Sequence, residues 1–414
     1  MIDARYQPHL DWIATQQQHM VFLTEAWSRI NSGSYHLEGI RKFRRALEDN
    51  FRWLDGTMEL IPLAPITQID RQGHEISIEM TEVLSIRKRP EAPIQVLLAG
   101  HMDTVYGPEH PFQTPVFLDE NTLNGPGVTD LKGGLVVMLK ALEALEKFEG
   151  ASNLGWQIIL NPDEEIGSIA SDPVLKQAAL GKHLGLIYEP ATAQGDLAGA
   201  RKGSGNFSIT VRGKAAHAGR NPEEGRNAIV ACAEITSLLF ALNGKRPGLT
   251  VNPGKVEGGG ALNTVPDLAI LRFNIRTQQQ EDEAWVLQQI KLILDQFHLQ
   301  NGFEATLHGQ FTRQPKPLAP ANQAVFDMVV DCGRQLGLDI GVKPSGGCCD
   351  GNNLWKYGLP NVDTLGVRGA HIHSAQEIIY LDSLTERAQL SALLLMRLAS
   401  GDLPVAAIPP STQE

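Results

Sequence analysis

Ile94-Gln95-Val96-Leu97-Leu98-Ala99-Gly100-His101-Met102-Asp103 is the stretch from which the architecture can be read. Its apolar run reads as a buried strand that ends at Gly100, with a histidine and an acid just beyond. A helical pattern follows over residues 134–148, then a second buried strand over 157–160. Strand, helix, strand in that order predicts a mostly parallel-containing mixed sheet flanked by helices, an α/β fold. Upstream, apolar residues recur at three and four over residues 10–30 and 36–54, which predicts two helical stretches. Residues 66–100 carry a strand pattern.

The character changes after Ala198. A strand is expected over 206–211. Asn221-Pro222-Glu223-Glu224 reads as a helix start, with Asn as N-cap, Pro in the first turn and Glu three residues after the cap. Ile229, Cys232, Ile235, Leu238, Leu239 and Leu242 mark the apolar face of that helix. Strands over 249–256 and 268–275, a helix over 281–297 and a strand over 304–307 complete a β-α-β-β-α-β unit, the ferredoxin-like α+β pattern. Helical patterns resume over 323–336 and 381–400. The expected organisation is a catalytic domain made of residues 1–199 and 313–414, with residues 200–312 inserted.

Bulk composition agrees and excludes several classes. A chain of 414 residues exceeds what one hydrophobic core usually organises. The net charge of −11 argues against nucleic-acid binding, which needs a cationic surface. The cluster Arg41, Lys42, Arg44, Arg45 reads as a solvated helix face. No signal-peptide pattern and no apolar stretch of membrane-spanning length is present, so no membrane partner is expected. Cys232, Cys332, Cys348 and Cys349 form no CxxC pair and no disulfide framework, which fits a reducing, cytoplasmic setting. Walker, GxGxxG, HExxH and G-x-S-x-G motifs are absent.

Five turns that carry acids or histidines stand at the exits of apolar strands. In His101-Met102-Asp103, residues two apart face the same side, so Asp103 can accept the second ring N–H of His101. Asn124-Gly125-Pro126-Gly127-Val128-Thr129-Asp130 precedes a helix, and Asp130 reads either as a cap or as a carboxylate between two cations. Asp163-Glu164-Glu165 reads either as a solvated loop or as one ligand beside one proton acceptor, since adjacent side chains diverge. Tyr188-Glu189-Pro190 and His371-Ile372-His373-Ser374 complete the set. Each is weak alone. In open α/β sheets, ligand sites lie beyond the carboxyl ends of strands, and all five turns sit there.

Together with Ala216-His217-Ala218-Gly219 and Asn263-Thr264-Val265-Pro266, these turns occur in an order that resembles the M20 family of di-zinc metallopeptidases, nearest its glutamate carboxypeptidase branch. Acetylornithine and succinyl-diaminopimelate deacylases and aminoacylases are relatives in that family. The resemblance covers roughly residues 60–398. It implies one ion on His101 and Glu189, a second on Glu165 and His373, and Asp130 and a water bridging them. His371 also lies near the expected position, but His373 matches the family's His-Ser pairing followed by Glu377. The resemblance also implies a cis bond after Asp130. A nitrogen and oxygen donor set without thiolate suits two Zn²⁺, with Co²⁺ or Mn²⁺ as substitutes.

The implied mechanism is hydrolysis of an amide bond next to an amino-acid carboxylate. Glu164 takes a proton from the water and delivers it to the leaving nitrogen, while Asp103 supports His101. His217 is implied as an oxyanion donor that reaches the partner subunit's site, which makes a homodimer the expected assembly. Arg276 and Asn263 are the implied contacts of the substrate's free carboxylate, and Gly347 belongs to a loop resembling the family's glycine-rich substrate loop. That loop departs from the family pattern at Cys348 and Cys349, which read as small packing residues and not as a third metal site. The substrate is then a small molecule or short peptide with a free carboxylate. A carboxypeptidase is the first reading and an N-acyl-amino-acid deacylase the alternative. An aminopeptidase or dipeptidase would need acidic groups for a free amine. A non-catalytic binding protein would show a lost ligand or a lost Glu164, and neither is lost.

Overall fold

The computed structural model describes residues 2–405. Its principal elements run α1 (Gln7–Thr15), α2 (Gln17–Ser28), α3 (Leu37–Phe51), β1 (Thr57–Ile61), β2 (Val83–Lys88), β3 (Ile94–His101), α4 (Gly133–Glu146), β4 (Leu154–Asn161), α5 (Asp172–Ala179) and β5 (Leu184–Ile187). Then come β6 (Gly203–Arg212), α6 (Ala228–Phe240), β7 (Thr250–Gly258), β8 (Leu268–Thr277), α7 (Glu281–Asn301) and β9 (Glu304–Arg313). The chain continues with α8 (Pro320–Gln335), α9 (Asp350–Lys356), β10 (Asn361–Val362) and α10 (Asp382–Ala399).

The central sheet has the order β1-β2-β4-β3-β5-β10. β4, β3, β5 and β10 are parallel, whereas β2 runs antiparallel to both β4 and β1. This is the mixed, helix-flanked α/β sheet expected from the sequence. Successive residues of β3 point to opposite faces. Val96 and Leu98 join the core under α1, α4, α8 and α10, whereas Leu97 and Ala99 join the one under α5 and α9. Each large aliphatic side chain fully buried here contributes about 1.5–3 kcal/mol. β3 and β4 are in register from Ile94↔Leu154 to His101↔Asn161, so their carboxyl ends deliver both following loops to one edge.

The second sheet, β7-β8-β6-β9, is antiparallel throughout and has its own core. Ile209, Leu271 and Ile275 pack there against Cys232, Ile235 and Leu239 of α6 and against Val286 and Ile290 of α7.

Three local expectations need correction. Residues 10–30 form two helices divided at Gln16. Pro222–Glu224 is a single turn, ended by Gly225 in extended conformation, where Arg226 pairs with Lys214. The true cap of α6 is Asn227, whose Oδ1 accepts from the backbone of Ile229 at 3.0 Å and of Val230 at 3.2 Å. Of the predicted α6 face, Cys232, Ile235, Leu239 and Leu242 are buried; Ile229 and Leu238 are exposed, beside Val230 and Phe240. Finally, Arg44 is buried, with its guanidinium 3.5 Å from Glu48 and 3.8 Å from Glu82, so the basic cluster is not wholly a solvated face. No helix among the described residues is long and apolar enough to cross a membrane.

Candidate metal centre

β3 can end beneath α4 because Gly100 has no side chain: a Cβ there would lie 2.8 Å from Leu135. Gly134 is required in the same way, since a Cβ would stand 2.1 Å from the carbonyl oxygen of Tyr188. These close approaches bring the α4 turn and the ends of β3 and β5 together.

His101 is buried at the end of β3. Its Nδ1 lies 3.0 Å from the carbonyl oxygen of Asp103 and 3.4 Å from the Asp103 carboxylate. The main chain is thus the nearer support of the ring. The Asp103 carboxylate instead accepts from Ser34 Oγ at 2.7 Å and from the backbone N–H groups of Glu164 and Glu165 at 3.1 and 3.2 Å, and so anchors the acidic turn. His101 Nε2 faces Asp130 Oδ1 at 3.1 Å and Glu189 Oε1 at 3.8 Å.

Asp130 does not cap α4, whose N-cap is Lys132 without a side-chain bond. The Asp130–Leu131 bond is cis, as the resemblance implied. The two carboxylate oxygens of Asp130 face one histidine each, Oδ1 toward His101 and Oδ2 toward His373 Nε2 at 3.2 Å. His373 Nε2 also lies 3.1 Å from Glu165 Oε2. His371 makes no such contact; its carbonyl oxygen accepts from Ser374 Oγ.

The acids of the third turn diverge. Asp163 is buried among Ser171 Oγ and the backbone N–H groups of Ala170 and Ser171, where it shapes the turn. Glu165 faces His373, and Glu164 Oε1 accepts from Arg313 Nη2 at 2.7 Å. Glu189 is buried, and its Oε1 has no hydrogen-bond partner among the described residues.

Asp130, Glu164, Glu165 and Glu189 thus converge on two imidazoles. Burial pushes the Glu164 carboxyl up to about 8, against the pull of Arg313. Burial, reinforced by the Asp130 charge, also raises Glu165 and takes Glu189 well above the carboxylate range. Against the cost of burial, the Asp103 and Asp130 carboxylates raise His101 well above its ordinary value, and hydrogen bonds to Asp130 and Glu165 push His373 up to about 11, so the acids draw positive charge to the cluster. His101, Asp130 and Glu165 form one group with ligand atoms within 4.8 Å of one another, and His101, Glu164 and Glu189 form a second. A buried carboxylate oxygen without a donor is costly, and borderline divalent cations such as zinc take carboxylate oxygen and imidazole donors together. The residues therefore fit divalent metal.

Three residues that hold this arrangement escaped the sequence reading. Arg313, at the end of β9, bonds Asp350 Oδ1 at 2.6 Å, Asn353, Ser168 Oγ at 3.0 Å and Glu164. Glu377 accepts from the backbone of Gly127, Thr129 and Asp130 at 3.1, 2.9 and 3.0 Å and so clasps the Asp130 turn. Tyr106 Oη donates to the same carboxylate at 2.9 Å. The only hint in the sequence was that Glu377 follows His-Ser.

The substrate-side candidates divide into two sets. Arg276, on β8, donates from Nε to Asn274 Oδ1 at 2.9 Å, and its Nη1 lies 2.8 Å from Cys348 Sγ. Gly347 is exposed beside it, with its N–H on Ser345 Oγ. Cys349 caps α9 and is buried, so its reading as a packing residue gains a specific role. His217 and Asn263 are exposed and lie beside each other, with the backbone N–H of Ala218 on the Asn263 carbonyl. The His217 ring accepts from the N–H groups of Gly219 and Arg220. Neither residue bonds to the cluster. A cleft of about 1000 Å³ opens beside Glu165 between the two sheets, lined by Tyr35, Ile66, Asn206, Arg272 and His308 among others.

Comparison with known proteins agrees with this geometry. The chain is 28% identical over 313 residues to carboxypeptidase G2 of Pseudomonas sp. (strain RS-16), covering 74% of each. It is 29% identical over 334 residues to succinyl-diaminopimelate desuccinylase 2 of Shewanella loihica, covering 74% of this chain and 86% of the relative. An M20 family metallo-carboxypeptidase from Sulfolobus solfataricus shares the fold with a TM-score of 0.74 at 17% identity, over 92% of this chain and 99% of that one. The profile of peptidase family M20/M25/M40 matches residues 97–397, and the chain belongs to that family.

Proposed function

We propose that this family member is a carboxypeptidase of the glutamate carboxypeptidase type, cleaving the amide bond that precedes a free amino-acid carboxylate. The observation that carries the reading is Asp130, with one oxygen toward His101 and the other toward His373. That is the disposition of a carboxylate shared between two ions. His101 and Glu189 would hold one, Glu165 and His373 the other, and the donor set favours zinc. When bound, the ions supply Lewis acidity and bring the pKa of water toward neutrality. Glu164 Oε1 is occupied by Arg313, so Oε2 is the atom that takes the proton and returns it to the leaving nitrogen. Arg276 has no carboxylate partner among the described residues and offers its guanidinium to the substrate carboxylate, beside Gly347.

The experiment is a panel of C-terminal dipeptides and N-acyl amino acids offered to enzyme loaded with Zn²⁺ or Co²⁺. Turnover of peptides supports the carboxypeptidase reading. Turnover of small N-acyl substrates alone moves the protein to the deacylases, a reading that the desuccinylase relative favours. No turnover of either rejects both. For Arg276→Ala, kcat/KM falls by about 10²-fold on substrates with a free carboxylate and stays level on their amidated analogues. Equal losses on both would exclude the carboxylate contact.

We take residues 200–312 as the dimerisation domain, inserted into a catalytic domain of residues 1–199 and 313–414. Two observations favour a homodimer. His217 and Asn263 are exposed and bond to no member of the cluster, and α6 exposes Ile229, Val230, Leu238 and Phe240, each 40–61% accessible. An apolar strip of that kind marks an interface. If His217 serves the partner's site, mixing inactive His217→Ala and Glu164→Gln enzymes restores about a quarter of normal activity. After subunit exchange, half the dimers are mixed and each has one intact site. No recovery in a mixture proven to exchange subunits means that His217 does not act in trans. The four free cysteines fit a cytoplasmic setting.

A further inference from the structure

We propose that the carboxamides of Asn206, Asn252 and Gln310 form an acyl-side subsite that recognises peptide main chain. The preferred substrate then carries a peptidyl group on the nitrogen that hydrolysis frees, in place of a small or purely aliphatic acyl group. The inference rests on the hydrolase reading above and names the chemistry of the half of the substrate that Arg276 does not touch.

The inserted sheet turns one face to α6 and α7 and the other to the cleft. Phe207, Val251, Phe273 and Phe311 lie on the helix side. Their neighbours Asn206, Asn252, Asn274 and Gln310 point the other way, and all four line the cleft. They also stand in register. Asn274 of β8 is opposite Asn252 of β7 and Asn206 of β6, and Asn206 is opposite Gln310 of β9. One row of carboxamides therefore crosses all four strands, with about 4.8 Å between neighbouring strands. The rows on either side differ. Toward the metal cluster, the next row carries Arg276 and Arg313, the latter bonded to Glu164. On the far side, the next row carries Lys255 and Arg272, both paired with Glu257 at 2.8 and 2.7 Å. Between them the amide row is a neutral strip of donors and acceptors.

Asn274 ties the row to Arg276. Its Oδ1 accepts from Arg276 Nε at 2.9 Å, and its Nδ2 donates to Asn206 Oδ1 at 2.7 Å. Asn206 Nδ2 is left to donate elsewhere, and the exposed side chains of Asn252 and Gln310 have no hydrogen-bond partner among the described residues. A carboxamide offers a donor and an acceptor, the same two groups that every residue of a peptide repeats along its main chain. Glu165 of the metal cluster lines the same cleft. With the released amino acid on Arg276 and the scissile bond at the cluster, the acyl chain is what remains to enter it. The far side is held by the hairpin of residues 66–78: the Ile69 carbonyl accepts from Arg272 Nη2 at 2.8 Å and the Gly73 carbonyl from Arg212 Nη2 at 3.0 Å. The space of about 1000 Å³ stands at the top of the range of roughly 300–1,000 Å³ for small-molecule pockets. An acetyl or succinyl group leaves most of it to water. An aliphatic chain strips water from the amides and returns no bond, whereas a short peptide does both.

The test offers full-length, metal-loaded enzyme the N-acetyl, N-octanoyl and N-acetyl-alanyl-alanyl derivatives of one amino acid, the one released fastest in the panel above. The last two have acyl chains of equal length and differ in their amides. The wild type favours the alanyl-alanyl substrate over each of the others by at least about tenfold in kcat/KM, the scale of two ordinary net hydrogen bonds. Asn252→Leu and Gln310→Met, combined in one protein, keep side-chain volume, remove the hydrogen bonds and cut both ratios by about tenfold. The wild-type comparison needs no variant and decides the matter even if the double variant does not fold. Equal or faster turnover of the octanoyl or acetyl substrate by the wild type would overturn the assignment, as would unchanged ratios in a folded double variant. A panel that releases no amino acid at all would instead defeat the hydrolase reading itself.

Discussion

Glu164→Gln lowers kcat by at least about 10²-fold, the scale of lost general-base catalysis, and leaves metal content unchanged. Glutamine keeps the volume of the side chain, and its carbonyl oxygen still accepts the Arg313 bond that holds residue 164 in place. What it loses is the ability to take a proton. The environment suits a proton carrier: burial pushes the carboxyl up to about 8 while the Arg313 charge pulls it back. A carboxylate held in place by Arg313 and facing the cluster can take a proton and pass it on. Kinetics and metal analysis on the same preparation separate this role from metal binding. A variant that keeps its ions and works at a near-normal rate leaves Glu164 without a catalytic part, and one that loses an ion makes it a ligand.

The part of the site that lay within single strands and their exits was legible, and the part assembled across the chain was not. β3 announced itself by an unbroken apolar run, and His101 had to stand at its carboxyl end because the run stops at Gly100. The choice of His373 over His371 came from its Ser374 neighbour and agrees with the geometry around Asp130. Arg313 lies 149 residues from Glu164 in sequence, and β9 extends past residue 307 to reach it through a polar stretch that carries no clear strand alternation. Glu377 controls the Asp130 turn from 247 residues away through backbone N–H groups, which leave no trace in side-chain pattern. Asn221 was mistaken for the cap of α6 because Asn-Pro-Glu-Glu satisfies local cap chemistry. Gly225 and the Lys214–Arg226 pairing override it, and the true cap, Asn227, lies six residues beyond Asn221.

Stripping divalent metal with a chelator abolishes hydrolysis and lowers the thermal stability of the folded protein, and Zn²⁺ or Co²⁺ restores both. The two effects have one cause. Asp130 and Glu189 are buried and Glu164 and Glu165 nearly so; the cations facing them among the described residues are His101, His373, Arg313 and Arg201, and Glu189 Oε1 has no hydrogen-bond donor there. Mutual repulsion and lost hydration oppose folding of that cluster, and cations relieve both. Because an ion binds the folded cluster and has no comparable site on the unfolded chain, it stabilises by mass action, about 2.7 kcal/mol when present at a hundred times its dissociation constant. The Tm therefore rises with metal concentration, whether or not substrate is present. In Asp130→Asn, which weakens the group between the two histidines, that rise is smaller and activity is lost with it. Turnover that survives complete metal removal would refute the mechanism. A Tm indifferent to chelation and to added Zn²⁺ would go further and show that these side chains, close as they are, hold no ion.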